Sequence, residues 1–343
     1  MELGNRPELE VDGDVVQCLE PSRPGERFEG LAFSSSGHIL AAATADTNAV
    51  LLFRRKANGL FEEAPYCQIG SDRPLEYPHD VAFSVGRDIE LLAVAQRAGS
   101  IVVFEKNKDE TFGPQPAFEI CGPRAGLAFS DGVAFVPPDD QYLAACNLTL
   151  ASVTFYRRVS INPVTFEVTP EFELKHESLH HPDGLGFSQC GSWLAVANHG
   201  GHSVSIFRRR RSLLSPRKIK YGPRPAMVLK DPIFRHPHSV AFTPLTDHLV
   251  VTNAGANYFT AYQSNRGYFS TRWSQSPCCK MAVASDGDFR KTNDENAMEG
   301  GPKGIAVHQN QVAVCSPEIG IKIFSLRGRV RPRPASLSEP TPL

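Results

Sequence analysis

One phrase returns six times along this chain: a turn, an apolar strand, a second strand and a third. Its clearest copy reads His181-Pro-Asp-Gly-Leu-Gly-Phe-Ser188, then Trp193-Leu-Ala-Val-Ala-Asn198, then Ser203-Val-Ser-Ile-Phe207. First strands begin at Leu31, Val81, Val133, Leu185, Val240 and Ile305, with successive separations of 50, 52, 52, 55 and 65 residues. This is the period of a four-stranded propeller blade. One such unit cannot bury both of its faces alone, so the copies must stack. A chain of 343 residues, which would otherwise split into domains, is therefore expected to be all-β and to form one six-bladed β-propeller.

Second strands follow at Leu40 to Thr44, Leu92 to Gln96, Leu143 to Asn147, Leu194 to Asn198, Leu249 to Asn253 and Val312 to Ser316. They are nearly continuous apolar runs, as strands packed on both faces should be. Third strands such as Val50 to Phe53 and Ile101 to Phe104 are rich in β-branched residues and end in an aromatic. Outer strands are expected at Tyr66 to Ile69, Ala117 to Cys121, Glu171 to Lys175, Ala226 to Lys230 and Cys279 to Val283. The sixth copy has no room for one, and Val15 to Leu19 is expected to supply it, closing the ring without an open edge. The boundaries are then an N-terminal extension over 1–14, the propeller over 15–326, and a disordered Pro- and Arg-rich tail over 327–343.

A composition of 41% apolar and 21% charged residues disfavours disordered and membrane classes. The acidic start, Met1 to Asp14, does not read as a secretory signal, so a cytoplasmic location is expected. None of the eight cysteines has C-x-x-C spacing, which points to free thiols. With a net charge of −1 there is no global pull towards nucleic acid.

Strands alternate in direction within a blade, so the turn entering strand one and the end of strand two share a face. The residue opening each first strand is Glu29, His79, Asp131, Asp183, His238 or Lys303, all ionisable. Around the channel these should form a ring, with Glu29 facing Asp183, His79 facing His238, and Asp131 facing and neutralising Lys303. The ends of strand two give a second, uncharged ring of Thr44, Gln96, Asn147, Asn198, Asn253 and Ser316. Together they suggest a pocket at the channel mouth where amides and hydroxyls orient a small-molecule substrate. The same residue types are ordinary turn formers whose side chains cap exposed backbone.

Within the ring, Glu29, Asp183 and Asp131 are the candidate ligands for one divalent metal: Ca²⁺, Mg²⁺ or Mn²⁺ for oxygen donors, Zn²⁺ if imidazoles join. His79, His238, Asp131 and Lys303 are the candidate catalytic groups. His199, directly after Asn198, is a candidate substrate contact or proton shuttle, whereas His180 and His202 read as loop residues. The long connection between the last two blades carries Asp286, Asp288, Asp294, Glu295 and Glu299 and could overhang the ring as a lid. Basic clusters at Arg54 to Lys56, Arg157 to Arg158 and Arg208 to Arg211 fall on the opposite face. They lack interleaved aromatics, which argues against nucleic-acid binding.

The quoted His181 to Phe207 phrase resembles repeats of lactonase-type propellers, the phosphogluconolactonase-like and the gluconolactonase and senescence-marker groups. The resemblance implies a metal at the channel mouth, with Glu29-Gly30 and Pro182-Asp183-Gly184 matching the turns that hold it. The chain departs from that pattern at Leu31-Ala-Phe and at His238, where an acid would stand, and it has six repeats where the phosphogluconolactonase-like group has seven. The expected function is a lactonase-like hydrolase. Two alternatives stand beside it: a metal-free isomerase or cyclase using His79 or His238, and a non-catalytic propeller that binds a protein or peptide through its rim.

Overall fold

The computed structural model describes residues 8–23, 26–72, 75–86, 89–210, 219–244, 247–266, 271–289, 298–317 and 319–329. They fold as a six-bladed β-propeller. The first strand, β1 (Glu8–Leu19), is set aside for the last blade. Blade one is β2 (Phe28–Phe33), β3 (Ile39–Thr44), β4 (Ala49–Arg54) and β5 (Cys67–Ile69). Blade two is β6 (Pro78–Phe83), β7 (Leu91–Gln96), β8 (Ser100–Glu105) and β9 (Phe118–Ile120).

Blade three is β10 (Ser130–Phe135), β11 (Tyr142–Asn147), β12 (Ser152–Ile161) and β14 (Phe172–Lys175), with β13 (Val164–Phe166) pairing the far end of β12. Blade four is β15 (Pro182–Phe187), β16 (Trp193–Asn198), β17 (Ser203–Arg208) and β18 (Met227–Leu229). In blade five, β19 (Pro237–Phe242), β20 (Leu249–Asn253) and β21 (Tyr258–Tyr262) are completed by β24 (Cys279–Ala282). A small hairpin of β22 (Ser264–Arg266) and β23 (Thr271–Trp273) is inserted before β24 and accounts for part of the longest repeat spacing. Blade six is β25 (Ile305–His308), β26 (Gln311–Ser316) and β27 (Gly320–Arg329), finished by β1.

The closing seam is longer than the sequence suggests. β1 and β27 pair from Leu19 opposite Ile321 to Glu8 opposite Arg329, so residues expected in the extension and at the start of the tail belong to the sheet. Once two antiparallel strands are in register, continuing satisfies the backbone groups of both. The rest of the expected tail, from residue 330, lies outside the described residues.

Burial explains the apolar second strands, which are fully enclosed in every blade where side chains pack on both faces. The core is divided into six clusters, each lying between two consecutive blades. Leu19 of β1 and Ile321 of β27 belong to the cluster that joins the last blade to the first, so the closing strand pair is also part of the core there. Near the axis the inner strands almost touch. A Cβ on Gly30 would lie 2.5 Å from Asp80 Cα, one on Gly184 2.6 Å from the His238 carbonyl, and one on Gly304 2.6 Å from the Glu29 carbonyl. This crowding is why glycine follows Glu29, Asp131, Asp183 and Lys303.

Among the described residues no helix is long and apolar enough to cross a membrane.

Candidate functional site at the channel mouth

Four of the six ring residues, His79, Asp131, Asp183 and His238, are aimed inward by a repeated turn. Two positions ahead of them, Tyr77, Phe129, His181 and His236 take φ values of 58°, 49°, 49° and 51°. Their carbonyls accept hydrogen bonds from Arg97, Leu148, His199 and Ala254, the residues that follow strand two. Bulky residues seldom adopt this left-handed conformation, so the turn must be over-determined by its surroundings.

The second ring supplies that bracing. Gln96 Oε1, Asn147 Oδ1 and Asn253 Oδ1 accept from the backbone N–H of Glu76, Ala128 and Arg235, each three residues before a ring position. The Asn147 amide also donates to Thr154 Oγ1, Asn198 to Ser205 Oγ and Gln96 to Ser100 Oγ, while Thr44 Oγ1 donates to the Ala49 carbonyl. These bonds lie within single blades. The side chains of Thr44, Gln96, Asn147, Asn198, Asn253 and Ser316 are buried, and Gln96, Asn147 and Asn253 fasten the turns that carry His79, Asp131 and His238.

The ionisable ring itself converges. Glu29, His79, Asp131, Asp183, His238 and Lys303 are each at most 3% exposed. His79 and His238 do face one another, stacked with centroids 5.0 Å apart. Glu29 Oε2 lies 3.6 Å from His79 Nε2 and 3.7 Å from His238 Nε2, and Asp183 Oδ1 lies 3.9 Å and 3.6 Å from the Nδ1 atoms of the same rings. Two carboxylates thus flank an imidazole pair.

The expected pairing of Lys303 with Asp131 is not formed. Lys303 Nζ sits 2.8 Å from Glu29 Oε2 and 3.1 Å from Glu299 Oε2, while Asp131 Oδ1 accepts from Arg97 Nε at 2.7 Å. Facing positions on a ring need not pair when long side chains can reach sideways to a neighbour. Three residues outside the alignment columns complete the network. Arg27 Nε is 2.6 Å from Glu29 Oε1 and its guanidinium pairs with Glu299, and Arg97 Nη2 lies 2.9 Å from His79 Nε2. A signal for Arg97 was present: its counterparts after strand two are Ala45, Leu148, His199, Ala254 and Pro317, so it is the cation of that column. Asp80 was also missed. Its Oδ2 accepts from Val133 N–H at 3.1 Å and ties blade two to blade three.

Protonation follows from this packing. Burial, reinforced by Arg97 and Lys303, holds His79 well below its ordinary pKa, and burial with His79 and Lys303 does the same to His238. His79 Nδ1 meets the Asp131 carbonyl at 3.0 Å, so its proton sits there and Nε2 accepts from Arg97. Burial lifts Asp131 to about 6 against the pull of Arg97, and burial with Asp131 lifts Asp183 well above the carboxylate range. Burial also lifts Asp80 to about 7, although the N–H groups of Val133 and Val81 oppose it. Burial alone would raise Glu299, but Lys303 and Arg27 outweigh it and bring the group to about 2.

Among the described residues two trios bring ligand atoms within 4.8 Å of one another: Glu29, His79 and His238, and His79, Asp131 and Asp183. The three carboxylates expected to share one ion are divided between them. In the first trio Glu29 holds Lys303 and His79 Nε2 meets Arg97; in the second Asp131 holds Arg97. A divalent ion in either would have to displace a paired side-chain cation, Lys303 or Arg97, so these donors, as arranged, fit internal cations rather than an added one.

The lid expectation holds a kernel in Glu299, which reaches over the mouth to Arg27 and Lys303. Asp286 bonds Asn257 and Asp288 bonds Ser285, away from the ring, and Asp294 and Glu295 lie outside the described residues. His199 is brought near, 6.4 Å from His238 and 4.6 Å from His236, with a backbone hydrogen bond to Met298. Burial and His236 bring it down to about 4. The His202 ring meets His236 at a tilt of 59°, and His180 stacks on His181. On the opposite face Arg55 binds the carbonyls of Gly37 and Gly59, Arg157 pairs with Glu167 and Glu171, and Arg211 lies outside the described residues.

A void of about 10 Å³ lies against the inner side of the ring, lined by ring side chains together with Asp80, Gly184, Ser239 and Gly304. That is the volume of one water at most.

No known sequence family and no curated protein matches the chain. Among solved structures it is similar to the β-propeller domain of Cps50 (Swd1) from Myceliophteria thermophila, with a TM-score of 0.54 at 12% identity, covering 87% of this chain and 83% of that one. A nidogen/laminin complex matches with a TM-score of 0.48 at 15% identity, covering 75% and 81%. The first likeness supports the propeller fold and nothing finer.

Proposed function

We propose that this propeller is a non-catalytic scaffold that binds a protein or peptide through its rim, and that its ionisable ring is an internal plug. The observation that carries this reading is the burial of the ring, whose six side chains are at most 3% exposed and whose charges are paired within the protein. Binding sites for small molecules run to hundreds of cubic ångströms, whereas the ring leaves against its inner side a void of about 10 Å³. Its charges also balance internally: Glu29, Asp131 and Glu299 are met by Lys303, Arg97 and Arg27. A substrate carbonyl would have to break these pairs to reach either imidazole.

One observation favours hydrolysis as a second reading. Neutral imidazoles beside carboxyls with raised pKa values are the kind of perturbation that gathers at catalytic centres. Structural ion-pair networks produce the same shifts. A panel of lactones and esters separates the two, with His238→Asn as the control. The scaffold reading predicts that parent and variant give the same background rate; turnover that disappears in a folded His238→Asn protein would overturn it.

A further inference from the structure

Charge is spread unevenly around the disc. Blades four and five, from Pro182 to Ala282, hold thirteen lysines and arginines against three acids, Asp183, Asp231 and Asp247, in a chain whose net charge is only −1. Two of those acids are enclosed: Asp183, in the ring, is 2% exposed, and Asp247 is 4% exposed. Asp231 lies past the end of β18, on the mouth side, where its Oδ1 accepts from Ile233 N–H. The face of these two blades away from the ring therefore has no exposed acid of its own.

That face collects the cations. β17 ends there at Arg208; Arg210 N–H donates to the Lys220 carbonyl and Gly222 N–H to the Arg208 carbonyl, so two basic segments run side by side. The Arg208 guanidinium lies 5.7 Å from the centroid of the Trp193 ring, and Trp193 meets Trp273 edge-on at 5.2 Å, which seats the β22–β23 hairpin and its Arg272 against blade four. Arg208, Arg210, Lys220, Arg224 and Arg272 are all exposed, and none forms an ion pair or a side-chain hydrogen bond among the described residues. On blades one to three the same face mixes its signs: Arg54 pairs with Glu110, Lys106 with Glu90 and Arg157 with Glu167. Mixed charge is enough for solubility, whereas a field of one sign over two adjacent blades attracts an oppositely charged partner.

We propose that the face of blades four and five away from the ring docks an acidic segment of a partner protein, whose aspartates and glutamates pair with Arg208, Arg210, Lys220, Arg224 and Arg272. The field specifies the sign of the partner, and five unpaired donors in one sector give it several points of attachment. Four of the five are arginines, whose planar fork matches a carboxylate. The aromatic rings packed beside them, Trp193, Tyr221 and Trp273, are at most 7% exposed. Among the described residues they offer no platform for stacked bases, which favours protein carboxylates over single-stranded nucleic acid. This inference rests on the protein-binding reading above and names its surface and the charge of its partner.

The test titrates the full chain into a fluorescein-labelled dodecapeptide of alternating glutamate and serine, read by fluorescence polarisation, with a lysine and serine dodecapeptide as the opposite probe. The proposal predicts saturable binding of the acidic peptide that weakens as sodium chloride rises from about 50 to about 300 mM, and no binding of the basic one. Arg210→Glu with Arg272→Glu, and separately Lys220→Glu with Arg224→Glu, should each weaken it about tenfold. The same reversal at Lys56 and Lys108, on blades one and two, should change it less than about twofold. All these positions are exposed, far-UV circular dichroism checks the fold, and two independent variant pairs keep the test decisive should one of them misfold. Undiminished binding in both pairs, an equal loss in the Lys56 and Lys108 control, or no binding of the acidic peptide at low salt would overturn the surface. A DNA duplex, or vesicles of phosphatidylcholine and phosphatidylserine, that bound more tightly than the peptide and were lost in the same variants would assign the surface to phosphates and overturn the protein partner. The scaffold reading is decided separately by the hydrolysis panel.

Discussion

Lys303 lies fully buried with its Nζ 2.8 Å from Glu29 Oε2, joining the last blade to the first across the channel mouth. Removing one partner of such a pair strands the other charge in the interior, at a cost of about 3–5 kcal/mol. Lys303→Met should therefore lower the free energy of urea unfolding by that order, and adding Glu29→Gln should recover a large part of it. A Lys303→Met protein as stable as the parent would mean that water reaches the pair.

Acidification should draw down the stability that the buried imidazoles contribute. His79, His238 and His199 are all held below their ordinary pKa, His199 at about 4, so below pH 6.5 the unfolded chain takes up protons that the native ring refuses. The stability that the imidazoles contribute then falls as the pH drops from 6.5 towards 4. Asp131, raised to about 6, Asp80, raised to about 7, and Asp183, raised well above the carboxylate range, work the other way, so the imidazole effect is read from a histidine variant against the parent. In urea titrations His199→Asn should show a shallower loss, by about 1.4 kcal/mol per pH unit between pH 6 and 4, which is one proton's worth.

Much of the fold was legible because a propeller blade is written locally. Turn, apolar run and aromatic stop recur at a nearly fixed period, and the missing sixth outer strand pointed directly to Val15 to Leu19. The ionisable ring was legible for the same reason, since alignment columns map onto shells around the axis. Partnerships inside the ring were not. A column records which residue points inward but not how far it reaches, and it was the length of Lys303, Arg97 and Arg27 that decided who pairs with whom. The uncharged ring shows a related limit: Asn147 or Gln96 reads identically as a pocket floor or as a turn brace until its hydrogen-bond partners, Ala128 and Glu76, are seen.

Crowding at the axis predicts a sharp response at one glycine. A methyl on Gly304 would meet the Glu29 carbonyl at 2.6 Å and Gly30 Cα at 2.9 Å, both backbone atoms that cannot rotate away. Gly304→Ala should cost about 1–3 kcal/mol, as overpacking does. Gly113→Ala, where the nearest atom is 3.8 Å away, should change the unfolding midpoint little.

Metal content gives a further check. Protein purified without a metal affinity step should contain far less than one equivalent of any divalent ion by elemental analysis, and Glu29→Ala with Asp183→Ala should leave that figure unchanged. Near-stoichiometric metal that vanishes in the double variant would show that Lys303 and Arg97 yield their places to an ion.

The central claim, that the ring is a closed plug rather than a solvated pocket, is tested most directly by the ¹⁵N chemical shifts of the His79 and His238 imidazoles, assigned with His→Asn variants and followed from pH 8 to 5. A plug predicts that both rings stay neutral throughout, with the His79 proton fixed on Nδ1. Midpoints near the ordinary 6.5 would show two solvent-exposed histidines and contradict it.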